Sequence, residues 1–253
     1  MALYRSDALV LRRRNLGEAD RIVTFLSRER GKMRAVARSA RRVKSKFAGA
    51  MEPLTHVHLE YYGKENADLF RLNSADVLRS FDGLRRDFEK VKSALVMAEL
   101  LDGLLEDGAP QAEIFNLSLA VLDRMEAGGG AGGAGGGGGA EEPLILFEAR
   151  FLRALGYQPN LDRCAKCGQV LAEKGAVFQA GAGDLSCPGC SSGGTRLSAG
   201  AVKHLSAVGS LPIGRAFQVS TVPAVRTEAQ RFLEAFLAGV SGRRLKSLKF
   251  LDA

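Results

Sequence analysis

The chain has 253 residues, 46% of them apolar and 25% charged, and a net charge of +8. That length predicts two or three domains rather than one, and the composition is that of a globular protein with a sizeable core, which excludes wholesale disorder. No apolar run approaches the ~20 residues of a membrane helix, the opening MALYRSDALVLRRR lacks the apolar stretch of a secretory signal, and nothing at the C-terminus resembles a lipid anchor, so a cytoplasmic location is expected.

The charge is unevenly placed. Residues 1–50 hold 14 Lys/Arg and 4 Asp/Glu, whereas residues 51–253 hold 22 and 24. All of the positive excess falls in the first fifth of the chain. A solubilising face would scatter its charge; a concentrated block suggests a polyanion partner.

The first eighty residues read as strands. Tyr4 to Leu11 is short and apolar and ends at Arg12-Arg13-Arg14, with a turn over residues 15–18. Ile22 to Leu26 is β-branched and aromatic. Lys32 to Arg38 alternates, with Met33, Ala35 and Ala37 on one face and Lys32, Arg34 and Arg38 on the other, as period two requires. A polar stretch follows, Ser39 to Ser45, carrying Arg41, Arg42 and Lys44, then Lys46. Leu54 to Tyr62 alternates again, Val57, Leu59 and Tyr61 against His56, His58 and Glu60; a turn at residues 63–66 leads to a fifth strand, Asp68 to Val77. Five short strands predict a small barrel, with the OB-fold leading and an SH3-like barrel as its competitor.

Beyond Val77 the period becomes helical. Leu84, Phe88, Val91, Leu95, Ala98, Leu101 and Leu105 mark one face of a long helix, ended by Gly108 and Pro110. Ile114 to Met125 and Leu144 to Leu155 make two more. Ser198 is placed to cap a fourth, with Val202, Leu205 and Val208 inward, and Val225 to Val240 make a fifth. The fold class is therefore α+β and multidomain: a barrel over 1–79, a helical domain over 80–160 and 196–253, and an inserted cysteine element over 161–195. Residues 128–140 are only glycine and alanine and hold 10 of the 30 glycines, the composition of a flexible linker.

The four cysteines form two pairs, Cys164-x-x-Cys167 and Cys187-x-x-Cys190, with 19 residues between. This is the spacing of a four-thiolate Zn²⁺ site. Four thiolates close the tetrahedron, so one structural zinc with no open position is expected. The surrounding stretch has few large apolar residues (Val170, Leu171, Val177, Phe178, Leu185) to fold on alone. Disulfides suit a cytoplasmic chain poorly, and a redox CxxC lacks its βαβ setting.

No Walker A, GxGxxG after a strand, HExxH or GxSxG is present, and no acidic cluster suggests a two-metal nuclease. His56 and His58 lack a third ligand and read as a polar sheet face; His204 stands alone on a helix. No catalytic residue is assigned, and an enzyme is not expected.

The basic stretch has the cations of a single-strand groove but few of its aromatic faces. There is no Trp, and Phe47, Tyr61 and Tyr62 are the nearby rings. Contact with the phosphate backbone is favoured over base stacking. Six phosphate contacts give log K against log salt a slope of roughly −4 on a single strand.

Several segments coincide with one family. Gly17-Glu18-Ala19-Asp20-Arg21-Ile22-Val23-Thr24, Arg28 to Arg38, Arg41-Arg42 and Lys44-Ser45-Lys46-Phe47 resemble the N-terminal domain of the bacterial recombination mediators of the RecO family. Arg153 to Leu161 leading into Cys164-x-x-Cys167-Gly168, and the terminal Arg243-Arg244-Leu245-Lys246-Ser247, resemble it further on. The resemblance implies an N-terminal OB-fold, a helical domain and a zinc-binding four-cysteine element. It implies binding of single- and double-stranded DNA and annealing of complementary strands without ATP. It also implies work with RecR and with single-stranded-DNA-binding protein to load RecA, in the cytoplasm at the nucleoid. DNA contact maps by position to Lys32, Arg34, Arg38, Arg41, Arg42, Lys44 and Lys46, and metal to Cys164, Cys167, Cys187 and Cys190. The glycine-alanine tract departs from the family. The basic group Arg243, Arg244 and Lys246 either extends the patch or solvates a helix end. Two other readings are an RNA-binding or ribosome-associated factor built on the same parts, and a scaffold whose helical domain does the main work.

Overall fold

The computed structural model describes residues 2–65, 67–128, 139–180 and 183–242. Most of the glycine-alanine tract and the basic group Arg243, Arg244 and Lys246 lie outside them. The chain divides into two compact units, 1–126 and 127–245.

The first unit opens with five strands: β1 (Ala2–Leu16), β2 (Asp20–Ser27), β3 (Gly31–Ala37), β4 (His56–Gly63) and β5 (Phe70–Arg79). They close as β1-β2-β3-β5-β4, with β4 returning to β1. All neighbours are antiparallel except β3 and β5, which are parallel and meet only at Ala35↔Phe70 and Val36↔Arg71. This is the five-stranded barrel that the strand pattern predicts. β1 runs on through the arginine triplet to Leu16, because Arg12 to Leu16 continue to pair with β2 beyond a register shift at Val10/Arg12. The shift lets one long strand bend enough to serve two neighbours.

Alternation sends one face of each strand inward. Ala8, Val10, Val23, Phe25, Met33, Ala35, Val57, Leu59 and Tyr61 are buried in one cluster. Between β3 and β4 the chain makes no helix or strand but a run of turns. Ala40, Phe47, Ala50 and Met51 from that run join the same cluster. Leu54 donates its N–H to the Val10 carbonyl at 2.8 Å, and Val10 returns the bond to Thr55 at 2.9 Å. The segment between Ala40 and Phe47 is thereby held at both ends.

The long helix expected after the barrel is two: α1 (Asp82–Arg85) and α2 (Phe88–Leu104). The break is Asp87, extended, whose carboxylate accepts from the N–H groups of Glu89 and Lys90. Aspartate at this position gains more as a cap than as an interior helical residue. α3 (Ala112–Glu126) completes the unit.

The second unit is built on α4 (Glu141–Ala154), α6 (Ala199–Ser210) and α8 (Pro223–Ser241), with the short helices α5 (Leu171–Lys174) and α7 (Ile213–Ala216). Ser198 caps α6, accepting from the N–H of Ala201, as expected. A three-stranded antiparallel sheet, ordered β7-β6-β8 from β6 (Ala176–Phe178), β7 (Leu185–Ser186) and β8 (Thr195–Leu197), carries the cysteine element. Its apolar residues are not left alone: the Phe178 ring packs on Phe232 and Phe236 of α8 at 5.3 and 5.5 Å.

Candidate nucleic-acid interface and metal centre

Among the cations of residues 12–46, tertiary contacts set two groups apart. The first group is held in ion pairs. Arg12 pairs with Asp102 at 3.1 Å, and Arg13 pairs with Glu52. Asp107, in the α2–α3 connection, accepts from Lys32 at 3.2 Å and from Arg34 at 2.9 Å. Lys32 also donates to the Asp102 carbonyl at 2.8 Å, and its side chain is only 13% exposed. Lys32 and Arg34, two of the positions expected to meet DNA, thus hold the helices against the barrel.

The second group lies on the turn segment. Arg38, Arg42, Lys44 and Lys46 are exposed, and among the described residues none of them is in an ion pair. Arg41 is exposed and gives one bond to the Gly17 carbonyl at 2.7 Å. Lys46 lies over the Phe47 ring, its Nζ 5.3 Å from the centroid. Because Ala40 and Phe47 are buried on either side, these charges are presented by a held segment rather than a free loop. Arg71, which the sequence reading omits, joins them. It faces outward from β5 opposite Tyr62, and its signal is that it follows the inward Phe70 in an alternating strand. Of the three rings near the basic stretch, Phe47 and Tyr61 are buried and Tyr62 is exposed.

The histidines behave as a sheet face. His58 Nδ1 meets Asp7 at 2.7 Å, and His56 is held below the ordinary histidine range by burial, its ring edge-on to Phe115 at 5.7 Å. His204 is not isolated: it is buried 3.2 Å from Glu142, which Arg226 also approaches.

The four cysteines converge. Cys164, Cys167, Cys187 and Cys190 place their sulfurs within 4.8 Å of one another, with Cys167 and Cys187 3.7 Å apart. A tetrahedron with metal–sulfur bonds of about 2.3 Å has edges of about 3.8 Å, so the donor set fits a single ion. Two turns build it: the N–H of Gly168 bonds to the Cys164 carbonyl, and that of Cys190 to the Cys187 carbonyl, each at 2.9 Å. Peptide N–H groups favour the thiolate form, so Cys164, which accepts from Cys187 N–H at 3.2 Å, is pulled down to about 6. Hydrogen bonding to the sulfurs of Cys167 and Cys187 pushes the Cys190 thiol up to about 12. Binding of a metal would displace the proton from Cys190.

Among the described residues no helix is long and apolar enough to cross a membrane. The family model described as "Recombination protein O N terminal" matches residues 1–81, and that described as "Recombination protein O C terminal" matches residues 85–249. The DNA repair protein RecO of Anaeromyxobacter sp. (strain K) is 38% identical over 255 residues, covering 100% of this chain and 97% of that protein. RecO of Symbiobacterium thermophilum is 35% identical, covering 100% and 98%, and that of Myxococcus xanthus is 34% identical, covering 99% and 98%. Matches of this extent, spanning both the barrel and the helical unit, show that the chain belongs to the RecO family of DNA repair proteins.

Proposed function

We propose that this protein is a non-enzymatic recombination mediator. It binds single- and double-stranded DNA and anneals complementary strands without ATP. With RecR it helps load RecA on DNA coated by single-stranded-DNA-binding protein, working in the cytoplasm at the nucleoid. The observation that carries the reading is the set of exposed cations Arg38, Arg42, Lys44, Lys46 and Arg71 of the barrel and its turn segment, none in an ion pair among the described residues, with Arg38, Lys46 and Arg71 lining one hollow. Phosphate repulsion slows the approach of two complementary strands. A surface that neutralises both, with few contacts to the bases, leaves most base edges free to pair. The four-cysteine element takes one structural Zn²⁺, since four thiolates suit zinc and leave it no open position for chemistry.

The test is annealing of two complementary labelled oligonucleotides, without ATP, at low and moderate salt. Acceleration that fades with salt is expected; with five phosphate contacts the slope of log K against log salt on a single strand is about −3.5. Binding without acceleration would remove the annealing role, and stronger binding to RNA than to DNA of equal length would turn the reading toward RNA.

A further inference from the structure

The barrel carries two hollows of opposite character. The larger, about 650 Å³, lies beside Asp107 and mixes Arg30, Lys32 and Arg34 with four carboxylates, those of Glu29, Glu65, Asp68 and Asp107. It has no surplus of positive charge to attract a phosphate. The smaller, about 350 Å³, is lined by Arg38, Lys46, Arg71 and Asn73, together with Phe47, Tyr62 and Leu72, and by no carboxylate. Three elements meet there: the turn segment after β3, the end of β4, and β5.

We propose that this smaller hollow is a slot for one unstacked nucleobase of a bound DNA strand, with Tyr62 as the stacking ring and Arg38, Lys46 and Arg71 taking the phosphates on either side. The inference rests on the DNA-binding reading above and deepens it. Its volume falls within the range of small-molecule sites, about 300–1,000 Å³, with room for a base and its sugar and none for a duplex. Its apolar lining comes from Phe47 and Leu72, which are anchored in the barrel core and so hold the slot open. Of the two rings that line the hollow, Phe47 is buried and Tyr62 is 37% exposed, so Tyr62 is the one a base can reach there. Its strand partner across β5 is Arg71, so ring and cation are side by side. The carboxylate two residues before Tyr62, Glu60, is occupied: Arg5 donates to it at 2.8 Å and Asn73 at 3.1 Å. The three cations are free of ion pairs among the described residues, so a phosphate displaces no partner.

A base enters the slot only after leaving its stack. A paired base stays in its helix, so the slot favours single strands over duplex. It also holds a strand by one base while leaving the neighbours exposed for pairing.

The chain contains no tryptophan, which makes Tyr62→Trp a single reporter in the full-length protein. Tryptophan emission and the anisotropy of an end-labelled oligonucleotide are followed together, with oligothymidine and with an abasic oligomer of equal length. The expected result is quenching as oligothymidine saturates and unchanged emission with the abasic strand. Tyr62→Ala should weaken oligothymidine about fivefold or more while leaving the abasic strand unaffected, and Tyr62→Phe should restore the affinity. If oligothymidine saturates with undiminished emission, the slot is wrong while the DNA-binding reading stands. Equal weakening of both strands by Tyr62→Ala also overturns it, since the ring would then only support the barrel. If neither strand binds at low salt, the DNA-binding reading fails and the slot with it.

Discussion

Gly31 lies so close to Ala109 that a Cβ on Gly31 would fall 1.7 Å from the Ala109 carbonyl oxygen. Gly31 also has φ +64°, a left-handed conformation that side chains adopt at a cost. The first residue of β3 is therefore the seat for the α2–α3 connection, and Gly108 donates to the Lys32 carbonyl next door at 2.9 Å. Gly31→Ala must push that connection away and break the Lys32–Asp107 contact. A loss of about 2–4 kcal/mol is expected, read as a lowered midpoint in thermal or urea unfolding. Gly49→Ala has the same sign of φ but open space around it, so it should lose markedly less.

Asp107 restrains two cations that would otherwise be available. Asp107→Ala should raise affinity for single-stranded DNA at low salt and steepen the salt slope by up to about 1.4, two contacts' worth. Titrations at several salt concentrations measure it. An unchanged slope would mean that Lys32 and Arg34 do not reach DNA even when released.

The paired and unpaired cations should differ on substitution. Arg42→Ala with Lys44→Ala should weaken binding and flatten the salt slope by about 1.4, with annealing falling in parallel. Lys32→Ala should change DNA affinity little and cost stability instead, because its side chain is committed to Asp102 and Asp107. Annealing lost with affinity intact in the double variant would contradict the charge-neutralisation account.

The cysteine cluster should hold one equivalent of zinc, measured by elemental analysis of the purified chain. Loading the metal-free protein should release protons, since Cys190 keeps its own at neutral pH. Calorimetry in two buffers of different ionisation enthalpy detects that release. Cys187→Ser should abolish stoichiometric retention and lower thermal stability, because β7 and β6 are tied to the site that Phe178 anchors on α8.

Glu148 on α4 is fully buried, and burial together with the charge of Glu234 pushes its carboxyl up to about 8. In the unfolded chain it ionises near 4.5. Between those values the unfolded state gives up a proton that the folded state keeps, so stability falls as pH rises from about 4.5 to about 8 and levels off above. Glu148→Gln removes the proton exchange. Its gain over the parent should grow across that window to the order of a few kcal/mol at pH 8. Urea midpoints at pH 5 and pH 8 test this; an equal shift at both would rule it out.

Much of the fold can be read from local pattern. The alternation Met33, Ala35, Ala37 against Lys32, Arg34 correctly places the first set in the core and the second on the opposite face, where Arg34 is exposed and Lys32 is covered by the α2–α3 connection, because the two-residue repeat of a strand is a backbone property. The same alternation sets Tyr61 inward and leaves Tyr62 on the polar face. The paired CxxC spacing brings four sulfurs together because each short turn points two at one centre. The helix break at Asp87 is harder to see, since an apolar stripe continues across it and only the cap geometry shows where the backbone departs.

The electrostatic state of the basic residues is not written locally. Arg34 and Arg42 look alike in the sequence, yet Arg34 meets an aspartate 73 residues away and Arg42 meets none among the described residues. Coulomb attraction acts across space and weakens with distance, so a charge's partner depends on which distant segments the barrel and its helices bring alongside it. Composition and motif establish a basic barrel, a helical unit and a four-thiolate element. The folded chain selects which cations remain free, because that depends on carboxylates far away in the chain, and it gathers Arg71 and Tyr62 of the β4–β5 hairpin with Arg38 and Lys46 of the turn segment around one hollow.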